Sequence, residues 1–495
     1  MRKLKIASIS SEVHPFSKTG GLGEVARSLP KALKRLGHDV IIITPLYTQL
    51  IDKREHKIEL VYENIKIKIG KEKNLTVNFW KGYLMKGLPV YFMENEKYFS
   101  KRKTLYGSDH ENARFYLFDV AALKLLTLLK FQADVIHCHD WHTGLIPSLL
   151  KKDFKNSQTL KNTATVYAIH NLAFQLGHNW WEIPASQKDF GKKELPQFDD
   201  PKLEYINFAK RALLNADAIN TVSEQYREEI MTKNYGQDLH RIIKNRHERV
   251  FGIVNGIDYN EYNPANDPGL AKNYSFKSPN LKLKNKFFLQ EMFKLPVNKD
   301  APIIGMVTRI TEQKGFGLLF DALDIIMKLD IQLIIIGGGD KEYINRAKSY
   351  IKKYPAKMNA ILEFNTKDTT KLYAGADLFL IPSRFEPCGI TQLEAMRYGA
   401  IPIVRHIGGL VDTVTDYNPK TKKGNGFVFN KYDSRDLIIA ITRAVENFKH
   451  AESWLELVKT VMEKSYSWEL PALKYVELFK KTIKLKLENH LNNKA

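Results

Sequence analysis

The residues best suited to chemistry lie between a short apolar segment and a helical segment near residue 390. Leu378–Ile381 is a continuous apolar run typical of a buried parallel strand, and Thr391 begins a run of good helix formers that ends before Gly399. A strand, a glycine-containing turn and a helix form a common anion site, because N–H groups at the start of the helix can bind phosphate oxygens. We expect the amides of Gly389, Ile390 and Thr391 to bind an anion in this way.

Two carboxylates flank this turn. Glu386 follows the predicted strand, at the edge where ligands enter open α/β sheets, and Glu394 is expected about two turns into the helix. Both could therefore act on one ligand. The alternative is that both acids are solvated on a surface turn, and this segment alone leaves the two interpretations open.

Two further loops at predicted strand ends carry cations. Near the N-terminus, Lys18 precedes Gly20 and Gly21, whose lack of a side chain lets the backbone approach an anion closely. In the second half, Arg309 and Lys314 follow another predicted strand, and such a pair can converge on a diphosphate. The first loop matches neither the full P-loop pattern nor a complete Gly-x-Gly-x-x-Gly. A plain flexible turn and solvated loop charges are the alternatives.

Histidine, cysteine and aspartate cluster after a predicted strand at 135–139. The cluster comprises His137, Cys138, His139, Asp140 and His142, and His170 follows the next predicted strand. This composition is compatible with zinc, but successive residues at a strand end alternate faces and a second ligand cluster of suitable spacing is missing from the sequence. We therefore favour polar residues that line a cleft. The sequence also has no Asp-x-Asp, so helix N-termini and cations must neutralise any bound diphosphate.

The elements that would position these residues alternate between strand and helix. The N-terminal half shows the βαβ pattern of a parallel sheet, with an antiparallel addition at 59–92. A proline-rich stretch at 263–302 interrupts the pattern, which restarts with strands predicted at 303–307, 333–336, 361–364, 378–381, 401–404 and 426–429. We predict an α/β protein of two doubly wound domains, at 1–265 and 266–470, facing an interdomain cleft.

Composition narrows the function classes. The chain has 495 residues, 44% of them apolar, two cysteines and a formal net charge of +21. It contains no apolar run long enough to cross a membrane and no apolar leader, so we expect a cytoplasmic protein without a membrane partner. The basic residues are dispersed along the chain and do not form long blocks, which argues against a nucleic-acid partner. A basic surface also suits small anionic substrates. The Lys-rich tail predicts a helix docked on the protein rather than on a membrane surface.

Five motifs, taken in chain order, resemble those of bacterial glycogen synthases and plant starch synthases, glycosyltransferase family 5. They are Lys18-Thr19-Gly20-Gly21-Leu22-Gly23, His139-Asp140-Trp141-His142, Val254-Asn255-Gly256-Ile257-Asp258, Arg309 with Lys314, and Glu386-Pro387-Cys388-Gly389-Ile390-Thr391-Gln392-Leu393-Glu394. The resemblance covers nearly the whole chain. Phe174-Gln175-Leu176-Gly177 carries one residue more than the family pattern, which changes the expected geometry of that acceptor-side loop.

This resemblance implies a GT-B fold in which a final helix at 471–495 packs back on the N-terminal domain. It also implies transfer of glucose from ADP-glucose to the non-reducing end of an α-1,4-glucan with retention of configuration, by front-face substitution and without a metal or other cofactor. The implied diphosphate ligands are Lys18, Gly20, Gly21, Arg309, Lys314 and the amides of Gly389, Ile390 and Thr391. Glu394 would bind the ribose, Glu386 and His170 would contact the transferred glucose, and Asp140 would serve the acceptor side.

Other interpretations stay open at this point. A related enzyme could use UDP-glucose or a hexose phosphate, and a non-catalytic glucan-binding protein would be expected to have lost the cations at 18, 309 and 314. The aromatic pair Trp180-Trp181 could stack on sugar rings or lie in a core.

Overall fold

The protein forms two compact units in the computed structural model, which describes residues 2–70, 73–107, 109–363 and 367–492. The N-terminal unit comprises Met1–Ile253 with Trp468–Ala495, and the C-terminal unit comprises Val254–Ser467. The chain passes from one unit to the other slightly before residues 265 and 470, where the sequence places the domain boundaries. No described helix is both long and apolar enough to cross a membrane.

The N-terminal unit is built on a nine-stranded sheet of order β3-β4-β5-β2-β1-β6-β7-β8-β9. Its strands are β1 (Lys5–Ile9), β2 (Asp39–Pro45), β3 (Glu59–Ile69), β4 (Lys73–Met85), β5 (Leu88–Glu94), β6 (Val135–His139), β7 (Ala164–Ile169), β8 (Ala218–Thr221) and β9 (Val250–Gly252). Among the described strand pairs of this sheet, only β3–β4 and β4–β5 are antiparallel. The antiparallel addition predicted at 59–92 is therefore confirmed.

Helices cover this sheet, which is why its central strands are buried on both faces. They are α1 (Gly21–Arg35), α2 (Glu111–Leu128), α3 (Ile146–Lys152), α4 (Phe208–Asn215), α5 (Glu224–Ile230), α6 (His240–Lys244) and the final helix α15 (Glu469–Asn492). Helix α15 contacts α1 and β7. Its Tyr475 hydroxyl lies 3.1 Å from the side-chain amide of Asn220 on β8, so the end of the chain is anchored to the N-terminal sheet.

The C-terminal unit has a six-stranded, all-parallel sheet of order β12-β11-β10-β13-β14-β15. Its strands are β10 (Ile303–Val307), β11 (Gln332–Ile336), β12 (Met358–Ile361), β13 (Leu378–Ile381), β14 (Ile401–Arg405) and β15 (Phe427–Phe429). Its helices are α7 (Lys282–Met292), α8 (Phe316–Ile326), α9 (Lys341–Lys353), α10 (Thr369–Gly375), α11 (Thr391–Arg397), α12 (Gly409–Thr413), α13 (Ser434–Phe448) and α14 (Ala451–Glu463).

Both sheets have the doubly wound strand order, in which the chain builds outward from β1 or β10 and then reverses direction. The predicted fold class is confirmed. The strand predicted at 361–364 is wrong: β12 ends at Ile361, and residue 364 lies outside the described residues. This strand is at the edge of the sheet and half-exposed, so polar Asn359 interrupts the apolar run that would have indicated its true start.

Candidate functional site

In the C-terminal unit, the predicted site residues lie at the switch point of the sheet. Lys314 follows β10, and Glu386 follows β13, its neighbour in the sheet. The ammonium of Lys314 lies 2.6 Å from Glu386 Oε2, and the Ser383 hydroxyl donates to the same oxygen at 2.9 Å. Glu386 is buried. Within the described residues, its second oxygen Oε1 makes no hydrogen bond, so it stays available to a ligand.

A close backbone contact fixes the position of Glu386. Its carbonyl oxygen accepts a hydrogen bond from the Gly409 amide at 3.1 Å. A Cβ at Gly408 would lie 1.8 Å from the same carbonyl, and Gly408 has a φ of +49°. Only glycine fits there without displacing the backbone that carries the carboxylate.

The turn before α11 leaves backbone donors unused. Gly389 adopts a φ of +68°, and its carbonyl accepts a hydrogen bond from the side-chain amide of Gln392 at 2.8 Å. No acceptor among the described residues pairs with the N–H groups of Gly389, Ile390 and Thr391. The predicted strand at 378–381 and the helix start at Thr391 are confirmed. These amides are therefore available to an anion.

The prediction that Glu394 lies two turns along the helix is wrong: it lies in the first turn of α11, because a turn takes 3.6 residues and the helix starts at Thr391. Its carboxylate is buried and accepts a hydrogen bond from the Tyr373 hydroxyl on α10 at 2.7 Å. Tyr373 is a positioning residue that the sequence did not reveal. The pairing joins two helices whose contact is apparent only in the fold.

Arg309 occupies the same loop as Lys314 but is exposed, with one guanidinium nitrogen 3.5 Å from Gln313 Oε1. The loop is held by Glu312, which accepts hydrogen bonds from the hydroxyls of Tyr343 at 2.6 Å and Tyr432 at 3.2 Å. The sequence did not indicate that Tyr343 and Tyr432 bind Glu312. These two hydrogen bonds hold the loop that carries Arg309 and Lys314.

In the N-terminal unit, the glycine loop surrounds a carboxylate of the protein itself. Buried Glu12 accepts hydrogen bonds from the Thr19 amide at 2.8 Å, the Thr19 hydroxyl at 2.7 Å and the Gly23 amide at 2.9 Å. The Gly20 amide also bonds to Glu12, while Gly21 begins α1. Burial raises the pKa of Glu12, against the lowering effect of these donors.

Lys18 forms an ion pair with Glu24 in the first turn of α1. Glu12 was not predictable from the sequence, because nothing in its local pattern identifies a carboxylate that binds backbone amides. Glu12 therefore fixes the backbone of the glycine loop, and Lys18 is the predicted cation beside it.

The other predicted residues of this unit follow β6 and β7. Asp140 has a φ of +56°, and its carboxylate accepts the His170 amide at 2.8 Å and the Asn171 amide at 3.4 Å. Burial raises the pKa of Asp140 to about 7. His170 Nε2 lies 2.9 Å from Nδ1 of His139. Desolvation lowers the pKa of His170 to about 3, so its imidazole is neutral near pH 7.

The histidine cluster is packed internally. His137 lies 3.2 Å from the Asn220 side chain, and its ring centroid is 4.1 Å from that of His139. In the described part of the chain, the donor atoms of His137, Cys138, His139 and Asp140 do not gather at one point as metal ligands would. His137, Cys138 and His139 are buried inside the unit, so the prediction that they line a cleft is wrong for these three residues.

The loop at 174–177 is anchored through Gln175, which is buried and donates to the Gln237 carbonyl at 2.8 Å. Leu176 packs with Trp180 in a small core. Trp181 is 57% exposed. Of the two interpretations of the tryptophan pair, core packing therefore holds for Trp180, and only Trp181 presents its ring to solvent.

Two doubly wound sheets, with cations and an oriented carboxylate at the switch point of the second, are the arrangement that the resemblance to GT-B glycosyltransferases leads us to expect. Comparison with known proteins agrees. The family model described as starch synthase catalytic domain matches residues 5–245, and that of glycosyl transferases group 1 matches residues 288–459. Glycogen synthase of Thermosipho africanus is 38% identical over 491 residues, with 97% of this chain and 99% of that protein covered. For glycogen synthase of Clostridium novyi the identity is 40% over 487 residues, with 96% and 98% covered.

One similar solved structure is the catalytic domain of starch synthase IV from Arabidopsis thaliana, bound to ADP and acarbose. It superposes on this chain with a TM-score of 0.87 and a sequence identity of 31%. The match covers 98% of this chain and 100% of that one. The sucrose-phosphate synthase of Thermosynechococcus elongatus, with 19% identity and a TM-score of 0.61 over 97% and 99% of the two chains, shares the fold alone. This chain belongs to the glycogen and starch synthase family of glycosyltransferases.

Proposed function

We propose that this chain transfers glucose from ADP-glucose to the non-reducing end of an α-1,4-glucan with retention of configuration. The observation that carries the proposal is the group formed by Lys314, Glu386 and the three unpaired amides at residues 389–391. It combines charge stabilisation for a leaving diphosphate with an oriented, buried carboxylate. The family membership of the chain supports the same reaction.

Departure of ADP develops negative charge on the diphosphate, and catalysis requires groups that bind this charge more tightly in the transition state. We assign this role to Lys314, Arg309 and the amides of residues 389–391, with Lys18 and Gly21 as further ligands. The amide of Gly20, also predicted as a ligand, is bonded to Glu12 and is therefore left out. Glu394, held by Tyr373, binds the ribose hydroxyls.

The sugar develops positive charge at its anomeric carbon as the bond to ADP breaks. Glu386 orients the glucose through Oε1, while Lys314 and Ser383 hold Oε2. Because one oxygen is already engaged by a cation, we assign Glu386 a positioning and electrostatic role rather than that of a covalent nucleophile. His170 contacts the transferred glucose and Asp140 serves the acceptor side. Departure and attack then take place on the same face of the sugar.

We further propose that the reaction needs no metal. Cations and backbone amides at the switch point can together neutralise the charge of a diphosphate, which is the task that Mg²⁺ performs in phosphoryl-transfer enzymes. ADP as the nucleotide is supported by the starch synthase IV structure, which was solved with ADP bound. We also infer from the chain's composition that the protein acts in the cytoplasm.

The test is incorporation of labelled glucose into glycogen from ADP-glucose and, in parallel, from UDP-glucose, each with and without a chelator. Incorporation from ADP-glucose that survives chelation is the expected result, and the Glu386→Ala variant serves as the inactive control. Preference for UDP-glucose would overturn the assigned donor, and loss of activity on chelation would overturn metal independence. Glycogen binding without incorporation from either donor would identify a non-catalytic glucan-binding protein.

A further inference from the structure

Three side chains from neighbouring strands of the N-terminal sheet form a hydrogen-bonded row. Ser8 is on β1, His139 ends β6, and His170 follows β7. Ser8 Oγ lies 3.1 Å from His139 Nε2, and His139 Nδ1 lies 2.9 Å from His170 Nε2. Ser8 and His139 are both fully buried. This row fixes how protons are distributed along it.

The hydroxyl of Ser8 sets the direction. Within the described residues its Oγ contacts only His139 Nε2, so its proton has no other acceptor. When Ser8 donates to Nε2, a neutral His139 carries its own proton on Nδ1 and donates it to His170 Nε2. His170 must then carry its proton on Nδ1.

The reverse order is less favourable. It would have His170 Nε2 donate to His139, and His139 Nε2 donate to Ser8, which leaves the Ser8 proton buried without an acceptor. An unsatisfied buried donor costs free energy, whereas the first order satisfies every atom of the row. Burial of His139 and the adjacent His137 ring also lower the pKa of His139, which keeps it neutral in either order.

His170 is anchored at its backbone and open at one ring nitrogen. The Asp140 carboxylate accepts its amide at 2.8 Å, so the row governs only the imidazole. His170 Nδ1 has no hydrogen-bond partner in the described part of the chain, and it is not among the buried atoms that lack one. It is therefore the ring atom that solvent or a ligand can reach.

We propose that Ser8 and His139 are positioning residues that hold His170 as its Nδ1–H tautomer, so that this imidazole offers a hydrogen-bond donor to a substrate hydroxyl oxygen. In this state Nδ1 cannot accept a proton, and His170 does not act as a general base. The identity of the ligand as the transferred glucose rests on the proposed function. The tautomer itself does not, and it can be measured without any substrate.

The first measurement is nitrogen NMR of the full-length protein labelled with ¹⁵N-histidine, with the His170 resonances assigned by their loss in His170→Asn. We expect Nδ1 at the protonated position and Nε2 at the unprotonated position. The opposite pattern would overturn the proposal.

Ser8→Ala removes only the hydroxyl and suits a buried strand. We expect the two His170 resonances to move toward each other, and kcat for glucose incorporation to fall by roughly two- to tenfold with the KM for ADP-glucose little changed. In His139→Asn the amide nitrogen stands near the former Nδ1 and can still donate to His170, so a pattern close to wild type is expected. His139→Leu should lose it.

Thr44→Val is the matched control, because Thr44 on β2 carries a buried hydroxyl without a hydrogen-bond partner in the described residues. It should leave the spectrum and turnover unchanged. An altered tautomer in Ser8→Ala with wild-type turnover, or an unaltered tautomer, would contradict the proposal. If the wild-type tautomer is as expected but no glucose is incorporated, the proposed function fails and the tautomer assignment stands.

Discussion

Removing the Tyr373 hydroxyl tests how the C-terminal unit orients Glu394. In Tyr373→Phe the ring stays in place and only the 2.7 Å hydrogen bond to the carboxylate is lost. Both residues are buried, with side chains on the neighbouring helices α10 and α11. A hydrogen bond to a charged group contributes about 1.5–3 kcal/mol, so we expect the free energy of unfolding to fall by about 2 kcal/mol.

The same loss should weaken donor binding if Glu394 binds the ribose. A carboxylate that must be reoriented on binding forfeits part of its hydrogen-bond energy, and about 1.4 kcal/mol corresponds to a tenfold change in affinity. We therefore expect the KM for ADP-glucose and the Kd of ADP to rise about tenfold, while kcat changes less. Urea denaturation gives the stability, and calorimetry gives the Kd.

Tyr398→Phe is the control. The Tyr398 hydroxyl donates to the Asp267 carboxylate, also at 2.7 Å, and its ring is equally buried in the same unit. It should lose a similar free energy of unfolding but keep the wild-type KM. If the two variants are equally destabilised and both bind ADP normally, orientation of Glu394 by Tyr373 has no part in donor binding and the reasoning is refuted.

Two further predictions concern the anion site and the acceptor side. Gly389→Ala places a Cβ at a φ of +68° and 2.4 Å from Gln392 Oε1, so the affinity for ADP, measured by calorimetry, should fall. Gly107→Ala is the control. Its φ is +89° with open space around it, so the backbone is strained there too, but the affinity for ADP should not change. Because the pKa of Asp140 is about 7 in the folded state and about 4 in the unfolded chain, the folded protein holds an extra proton between these values, and its free energy of unfolding should fall as pH rises through this window. The fall should amount to at most about 4 kcal/mol in the free energy of unfolding, and Asp140→Asn should abolish it. Urea denaturation at pH 4 and pH 7.5 measures both proteins. If the free energy of unfolding depends on pH in the same way in variant and wild type, the raised pKa is contradicted.

Central strands were predictable from the sequence because burial on both faces demands a continuous apolar run. The bounds of β10 and β13 coincide with such runs at 303–307 and 378–381, whereas β6, also predicted at 135–139, contains two histidines. The edge strand β12 was misplaced because one exposed side permits polar residues that hide its start. Burial, more than strand propensity, therefore decides how much of an α/β fold its sequence reveals.

Candidate site residues that bear the chemistry were predictable by type and position, but the groups that orient them were not. Lys314 and Glu386 were selected separately as residues beyond strand ends, and the structure joins them in one ion pair. The sequence did not predict the roles of Glu12, Tyr373 and Ser8, because each contacts a partner that only the order of the strands or the packing of the helices brings near. The spacing of residues along the sequence does not indicate such contacts.

The order of the strands explains why the predicted residues converge within each unit. In a doubly wound sheet, crossovers on the two sides of the first strand run in opposite directions, so the loops that follow the two central strands separate and leave a crevice. Lys314 and Glu386 follow β10 and β13, the central pair of one sheet, while Lys18 and Asp140 follow β1 and β6, the central pair of the other. His170 follows β7, one strand outward, and reaches the same edge through its 2.9 Å contact with His139 at the end of β6. Cations and carboxylates in these loops can therefore act on one ligand within each unit, instead of being separate solvated surface charges, the alternative that the sequence alone left open.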